Sequence, residues 1–207
     1  MLKEPSKVIT LERYLGFAFY RFSLFVVKAT ALLAFLVGTS YATTLSFQPP
    51  ASQFYENLAH ATWIANGTGP KILYQVFDPN CPYCHALFED LEPLIGPGHL
   101  TIREVPVGFL MPTSLGKAAT ILVAKHPLQV ILRGEAHYVF RQGMGIRTTK
   151  PNRRVRAQLQ HNLELIKAAT TYPIVPILVY LKANGKAKFV VGLPSHRTLK
   201  AIVADIK

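Results

Sequence analysis

Residues 78–85 read Asp-Pro-Asn-Cys-Pro-Tyr-Cys-His and hold the only two cysteines of the chain, Cys81 and Cys84, at the spacing Cys-x-x-Cys. The residues just before them, Lys71–Phe77, are nearly continuous in apolar β-formers (Ile72, Leu73, Tyr74, Val76, Phe77), as a central strand covered on both faces requires. The residues just after, 86–95, follow a helical pattern and end at Gly96-Pro97-Gly98. The stretch therefore predicts a dithiol where a strand hands over to a helix.

Disulfide exchange proceeds by thiolate attack, so it needs a cysteine of lowered pKa. Cys81 falls where the helix begins, among the free N–H groups and the positive end of the macrodipole. Pro82 occupies the first-turn position that proline tolerates best. Cys84 follows one turn later, within bonding reach. This assigns Cys81 as the exposed nucleophile and Cys84 as the more buried resolving thiol, with Tyr83 between them. His85, next along the helix, is either a cation that stabilises the thiolate or an exposed polar residue. A structural disulfide is disfavoured, because so short a loop constrains little of the unfolded chain. A metal site would draw on His85 and His60 and lacks further ligands. The expected centre is a redox dithiol with no metal and no cofactor other than its own disulfide.

Working outward, residues 51–65 read as an amphipathic helix burying Phe54, Leu58, Ala61 and Trp63, and 66–70 as a turn. Residues 100–107 alternate as a second strand. Residues 112–125, 127–142 and 151–170 read as helices, with a loop at 142–146. Residues 177–182 and 186–191 form a hairpin about Ala183-Asn184-Gly185. Residues 194–206 make a closing helix. The order β-α-β, helical block, β-β-α predicts a three-layer α/β sandwich over 51–207 with a helical insertion at about 112–170.

Residues 22–41 are apolar over roughly the length of a bilayer span. Lys28 interrupts them, and Ser40-Tyr41-Ala42 offers small residues suited to signal cleavage. Residues 1–42 are thus a cleaved signal peptide or an uncleaved inner-membrane anchor, followed by a linker at 43–50. Either way the preceding basic residues keep the N-terminus inside and export the body. The net charge is +12, of which +9 lies beyond residue 42. The basic run Arg147, Lys150, Arg153, Arg154 and Arg156 is read as a solvated helix face, with an acidic partner or anionic lipid as its alternative. No aromatic residues interleave it, so nucleic-acid binding is not expected.

Residues 74–95, with Asp78, Pro79 and Cys81-Pro82-Tyr83-Cys84, resemble the catalytic domain of the DsbC/DsbG group of periplasmic thiol:disulfide interchange proteins, which have the thioredoxin fold. Val191-Gly192-Leu193-Pro194 with Thr198-Leu199 resembles that group's closing segment, and Ala61-Thr62-Trp63 through Gly67 the end of its linker helix. The resemblance implies a cis-proline facing the dithiol, matched by Pro176 with Pro173 as a neighbouring alternative. There it would present Val175 to an extended substrate and keep metals from the thiols. The group usually carries Thr where this chain has Val175, a feature more like the DsbA oxidases. The N-terminal dimerisation domain of the isomerases has no counterpart here, so a monomer open to a membrane redox partner is expected. Gln75 stands six residues before Cys81, where cytoplasmic thioredoxins keep a buried acid, and is read as an ordinary polar strand residue.

The expected function is periplasmic thiol:disulfide exchange with cysteine-containing exported proteins. The alternative is a non-catalytic, anchored thioredoxin-like chaperone or assembly component of an envelope complex.

Overall fold

The computed structural model of the protein describes residues 51–207; the signal or anchor expected at 1–42 and the linker at 43–50 lie outside the described residues. In chain order the elements are α1 (Ala51–Leu58), β1 (Ile64–Gly67), β2 (Lys71–Phe77), α2 (Pro82–Leu91), a 3-10 turn (Glu92–Leu94), α3 (Ile95–Gly98) and β3 (Leu100–Pro106). The helical insertion follows as α4 (Ser114–Val123), α5 (Pro127–Ala136) and α6 (Arg153–Ala169). The chain closes with β4 (Ile177–Leu181), β5 (Ala187–Val191) and α7 (His196–Asp205). Among the described residues no helix is long and apolar enough to cross a membrane.

The strands form one sheet in the order β1-β3-β2-β4-β5. Central β2 pairs in parallel with β3 and antiparallel with β4. The parallel pair needs a crossover, and α2 supplies it. Strand alternation sends side chains to two faces. On one face Phe54 and Leu58 of α1 and Ile166 and Ala169 of α6 pack on Tyr74, Val76, Val105, Ile177 and Val179. On the other, Leu87 and Leu91 of α2 and Leu199 and Ile202 of α7 pack on Leu73, Leu100, Ile102, Leu178 and Tyr180. Each such fully buried side chain contributes about 1.5–3 kcal/mol relative to exposure. A third cluster lies at the C-terminal end of β2, where Phe77, Cys81, Cys84 and Phe88 meet Ile121, Ile131 and Met144 of the insertion. The dithiol thus sits between the sandwich and its insertion.

The expected helix at 51–65 is corrected: α1 stops at Leu58, and Ile64–Gly67 is an edge strand. The cause is tertiary. Asn162 of α6 accepts from the Thr62 N–H and donates to the Thr62 carbonyl, both at 2.9 Å, and so satisfies that backbone outside a helix. Residues 64–67 then pair with 101–104 of β3. Gly67 is required there: its φ is +96°, and a Cβ would lie 2.4 Å from the Leu100 carbonyl oxygen. The helix expected at 127–142 ends at Ala136, because 139 and 143 pair as a tight reversal, with Arg141 left-handed at its tip.

Candidate active site

Cys81 is the N-cap of α2, with extended backbone (φ −81°, ψ 115°) and Pro82 at the first helical position. Its sulfur accepts the Cys84 N–H at 3.2 Å. The Cys81 pKa is lowered, first because the Cys84 thiol donates a hydrogen bond to it and further by the Cys84 and Tyr83 N–H groups, against the opposing effects of burial and of Asp78. Burial pushes Cys84 well up, as do its donation to Cys81 and the neighbouring negative charge. The two thiols are therefore driven apart by environment, Cys81 toward easier ionisation and Cys84 away from it. The expectation of an exposed Cys81 is corrected: both residues are buried, at 3% and 1% exposure. Val175 and Tyr138 pack against the cluster that holds them, and that cover is what a linear reading of the motif lacks. Tyr83, by contrast, is 64% exposed and marks the open side of the motif.

The Val175-Pro176 peptide bond is cis, and the Val175 carbonyl oxygen lies 3.9 Å from Cys81 Sγ. Pro176 leads directly into β4. The arrangement thus sets a backbone carbonyl against the sulfur from across the sheet.

Asp78 anchors the junction. Its carboxylate is buried and accepts four hydrogen bonds: Asn80 N–H (2.9 Å) and Ser114 O–H (2.7 Å) on Oδ1, Phe109 N–H (2.8 Å) and Leu110 N–H (3.1 Å) on Oδ2. It ties the end of β2 to the loop entering α4. The reversal at 139–143 closes over the same point. Met144 N–H donates to the Pro79 carbonyl at 2.8 Å, and Lys117 Nζ donates to the Gln142 and Met144 carbonyls. Gly143 (φ +78°) must be glycine, since a Cβ would fall 2.1 Å from Asn80 Oδ1.

His85 is not the exposed polar residue of the second reading. It is partly buried, its Nδ1 lies 2.6 Å from Glu135 Oε2, and its ring stacks on Tyr138 with centroids 4.0 Å apart. Burial raises the Glu135 pKa, with His85 opposing. The Tyr138 hydroxyl donates to the Asn80 carbonyl at 3.3 Å, and burial followed by the Cys81 charge pushes its pKa up to about 12, so it remains protonated. His85 thus fastens α2 to α5 beside the dithiol. The basic residues Arg147, Lys150, Arg153, Arg154 and Arg156 are all exposed.

The sequence reading passed over a buried polar layer beneath α2. Gln75 is 1% exposed, and its amide donates to the Cys84 carbonyl at 3.5 Å, so it is no ordinary strand residue. Its register partner on β3 is Glu104, also 1% exposed. The signal was in the alternation: Leu100 and Ile102 point inward, the apolar phase then shifts to Val105 and Val107, and Glu104 is left in the inward phase. Burial holds the Glu104 carboxyl well above the usual carboxylate range, helped by Glu135 and Glu92 and opposed by a hydrogen bond from Asn66. The unfolded chain ionises this group near pH 4.3, and burial moves its ionisation in the folded protein to higher pH. The stability contribution is complete below about pH 4.3 and is lost as pH rises toward the folded pKa, at up to about 1.4 kcal/mol per pH unit. Glu104→Gln should flatten that decline, with a stability gain over wild type that is larger at pH 8 than at pH 4.5; urea unfolding across that range measures it.

No protein-family model matches the chain. In sequence it is similar to the thiol:disulfide interchange protein DsbG of Pseudomonas aeruginosa, with 31% identity over 168 residues covering 77% of this chain and 62% of that protein. It is also similar to DsbG of Escherichia coli, with 24% identity over 163 residues covering 77% of this chain and 64% of the relative. The chain spans less than two thirds of the length of either. In structure it is similar to a periplasmic thioredoxin-like protein from Salmonella enterica serovar Typhimurium (TM-score 0.60, 19% identity, 73% of this chain and 94% of that one). It is likewise similar to the catalytic domain of Proteus mirabilis ScsC (TM-score 0.56, 18% identity, 74% and 94%). The body is DsbG-like in sequence and thioredoxin-like in fold.

Proposed function

We propose that this chain is an exported thiol:disulfide oxidoreductase that exchanges disulfides with cysteine-containing proteins through Cys81 and Cys84. The observation that carries the reading is the Cys81 sulfur at a helix N-cap, holding the Cys84 N–H at 3.2 Å and lying 3.9 Å from the Val175 carbonyl next to a cis proline. The sequence similarity to DsbG supports the same chemistry.

In the oxidising direction a substrate thiolate attacks Cys81 of the Cys81-Cys84 disulfide. The Cys81-Cys84 bond breaks, a mixed disulfide forms, and Cys84 leaves and takes up a proton. A second substrate thiolate then attacks the substrate sulfur of the mixed disulfide and expels Cys81 as its stabilised thiolate. Two electrons have passed from substrate to dithiol. In the reducing direction the Cys81 thiolate attacks first and Cys84 resolves. Stabilising the Cys81 thiolate favours the reduced protein and raises the potential. The substrate backbone docks along Val175 and Pro176, where a carbonyl already faces the sulfur, and Tyr83 offers an exposed ring beside it. A membrane redox partner returns the dithiol to its starting state. The basic residues ahead of the apolar run at 22–41 support export to the periplasm.

Cys84→Ser tests the division of labour. The variant should form a mixed disulfide through Cys81 and hold it, because no thiol remains to resolve it. Non-reducing gels and mass spectrometry of protein incubated with a disulfide-bonded substrate should show the adduct accumulating; an absence of adduct would contradict the assignment.

A further inference from the structure

We propose that Glu104 is a positioning residue for the resolving cysteine: its carboxyl stays protonated and donates to Gln75, fixing that amide against the backbone of Cys84. The inference rests on the reading of Cys84 as the resolving thiol.

Gln75 and Glu104 stand opposite each other in the parallel register of β2 and β3. They occupy the strand phase that also carries Leu73, Leu100 and Ile102, beneath α2. Gln75 commits its N–H to the Cys84 carbonyl. That leaves Gln75 Oε1 buried without a partner, and Glu104 Oε1 is in the same condition. Two acceptors on register-paired residues cannot satisfy each other, and a buried polar atom without a partner is costly. One proton on Glu104 turns an acceptor into a donor and answers both.

The charges around Glu104 assign the proton to it. Glu92 on the 3-10 turn accepts from Asn66 of β1 at 3.2 Å, and the same neutral amide also faces Glu104. Glu135 on α5 has its own partner in His85 of α2 at 2.6 Å. Arg103, the nearest cation along β3, lies on the opposite face over the Trp63 and Tyr74 rings. Of the three carboxyls that converge here, Glu104 is the fully buried one and has no cation among the described residues.

The consequence falls on the second step of exchange. In resolution, Cys84 attacks the Cys81 sulfur of the mixed disulfide. A Cys81-Cys84 bond forms, the bond to substrate breaks, and the proton of Cys84 passes to the departing substrate thiolate by way of solvent. The Cys84 backbone sets this geometry, since its N–H holds the Cys81 sulfur and its carbonyl is held by Gln75. Ionising Glu104 releases Gln75 and places a negative charge under a pair that must already carry one.

The test uses the full chain with oxidised glutathione as the disulfide probe, following first attack and resolution separately by acid quench and mass spectrometry. Glu104→Leu should slow resolution about tenfold while first attack on the probe stays at the wild-type rate. Glu104→Gln, whose amide donates in the same place, should restore the lost rate. Infrared spectra of the wild type at pH 7 should contain the carbonyl stretch of a protonated carboxylic acid that is absent in Glu104→Gln and shifts when the dithiol is oxidised. Near-UV circular dichroism checks the fold; should Glu104→Leu not fold, the infrared comparison of wild type and Glu104→Gln decides. Wild-type resolution in Glu104→Leu, or no carboxylic acid band lost in Glu104→Gln, would overturn the inference and leave the disulfide-exchange reading standing. Failure of the wild type to react with the probe at all would instead remove that reading, and this role with it.

Discussion

Replacing Cys81 by serine is expected to bring disulfide exchange down to the uncatalysed rate, both in insulin reduction and in oxidation of a dithiol peptide. The attacking species is a thiolate, and serine does not ionise near neutral pH. Cys84 cannot substitute, because burial, the largest cause of its raised pKa, persists when Cys81 is replaced. The serine is close in size to the cysteine and can still accept the Cys84 N–H at the N-cap, where serine is a preferred residue. The variant should therefore remain folded, and loss of activity should come without loss of stability. Exchange by folded Cys81→Ser at the wild-type rate would contradict the assignment of Cys81 as the nucleophile.

The second large effect is structural. Asp78→Ala should destabilise the protein by roughly 3–5 kcal/mol, because it strands four donors: the Asn80, Phe109 and Leu110 N–H groups and the Ser114 hydroxyl. For a domain of this size that corresponds to a fall in Tm of roughly 10 °C. The same substitution has an opposite signature at the dithiol. The Asp78 charge raises the Cys81 pKa, so its removal should lower that pKa further. Thermal unfolding and the ultraviolet absorbance of the thiolate, measured on one preparation, read both signs. An unchanged Tm would mean that the Asp78 cluster does not tie β2 to the insertion.

What the sequence discloses here follows from how local each feature is. β2 is legible because a buried central strand must be largely apolar on both faces, and five of the seven residues of Lys71–Phe77 are apolar. The hairpin at β4 and β5 is legible because Gly185, at φ +79°, supplies the turn its neighbours cannot. The cysteines are legible because strand, helix start and spacing occupy one stretch of chain. β1 is not, because Ile-Ala-Asn-Gly has the composition of a turn and becomes a strand only by pairing with β3. His85 shows the same limit. Its character depends on Glu135, fifty residues on, which only the folding of the insertion brings to 2.6 Å. The cover over Cys81 comes from Tyr138 of that insertion and from Val175 before β4, both distant in sequence, so the motif alone suggests an open sulfur. Gln75 looked ordinary because its importance lies in what stands beside it on the next strand. Glu104 left a trace, a carboxylate in an inward strand phase, but its meaning required the register of two strands.

The most direct test of the central claim is the reduction potential of Cys81 and Cys84, measured by equilibrating the protein in glutathione buffers of graded poise and counting the oxidised fraction by mass spectrometry. The expected result is a single two-electron transition, with loss of two hydrogens and a Cys81-Cys84 bond, at a potential between about −270 and −120 mV. Persistence of two free thiols across that whole range would contradict the claim that this pair is a disulfide-exchange centre.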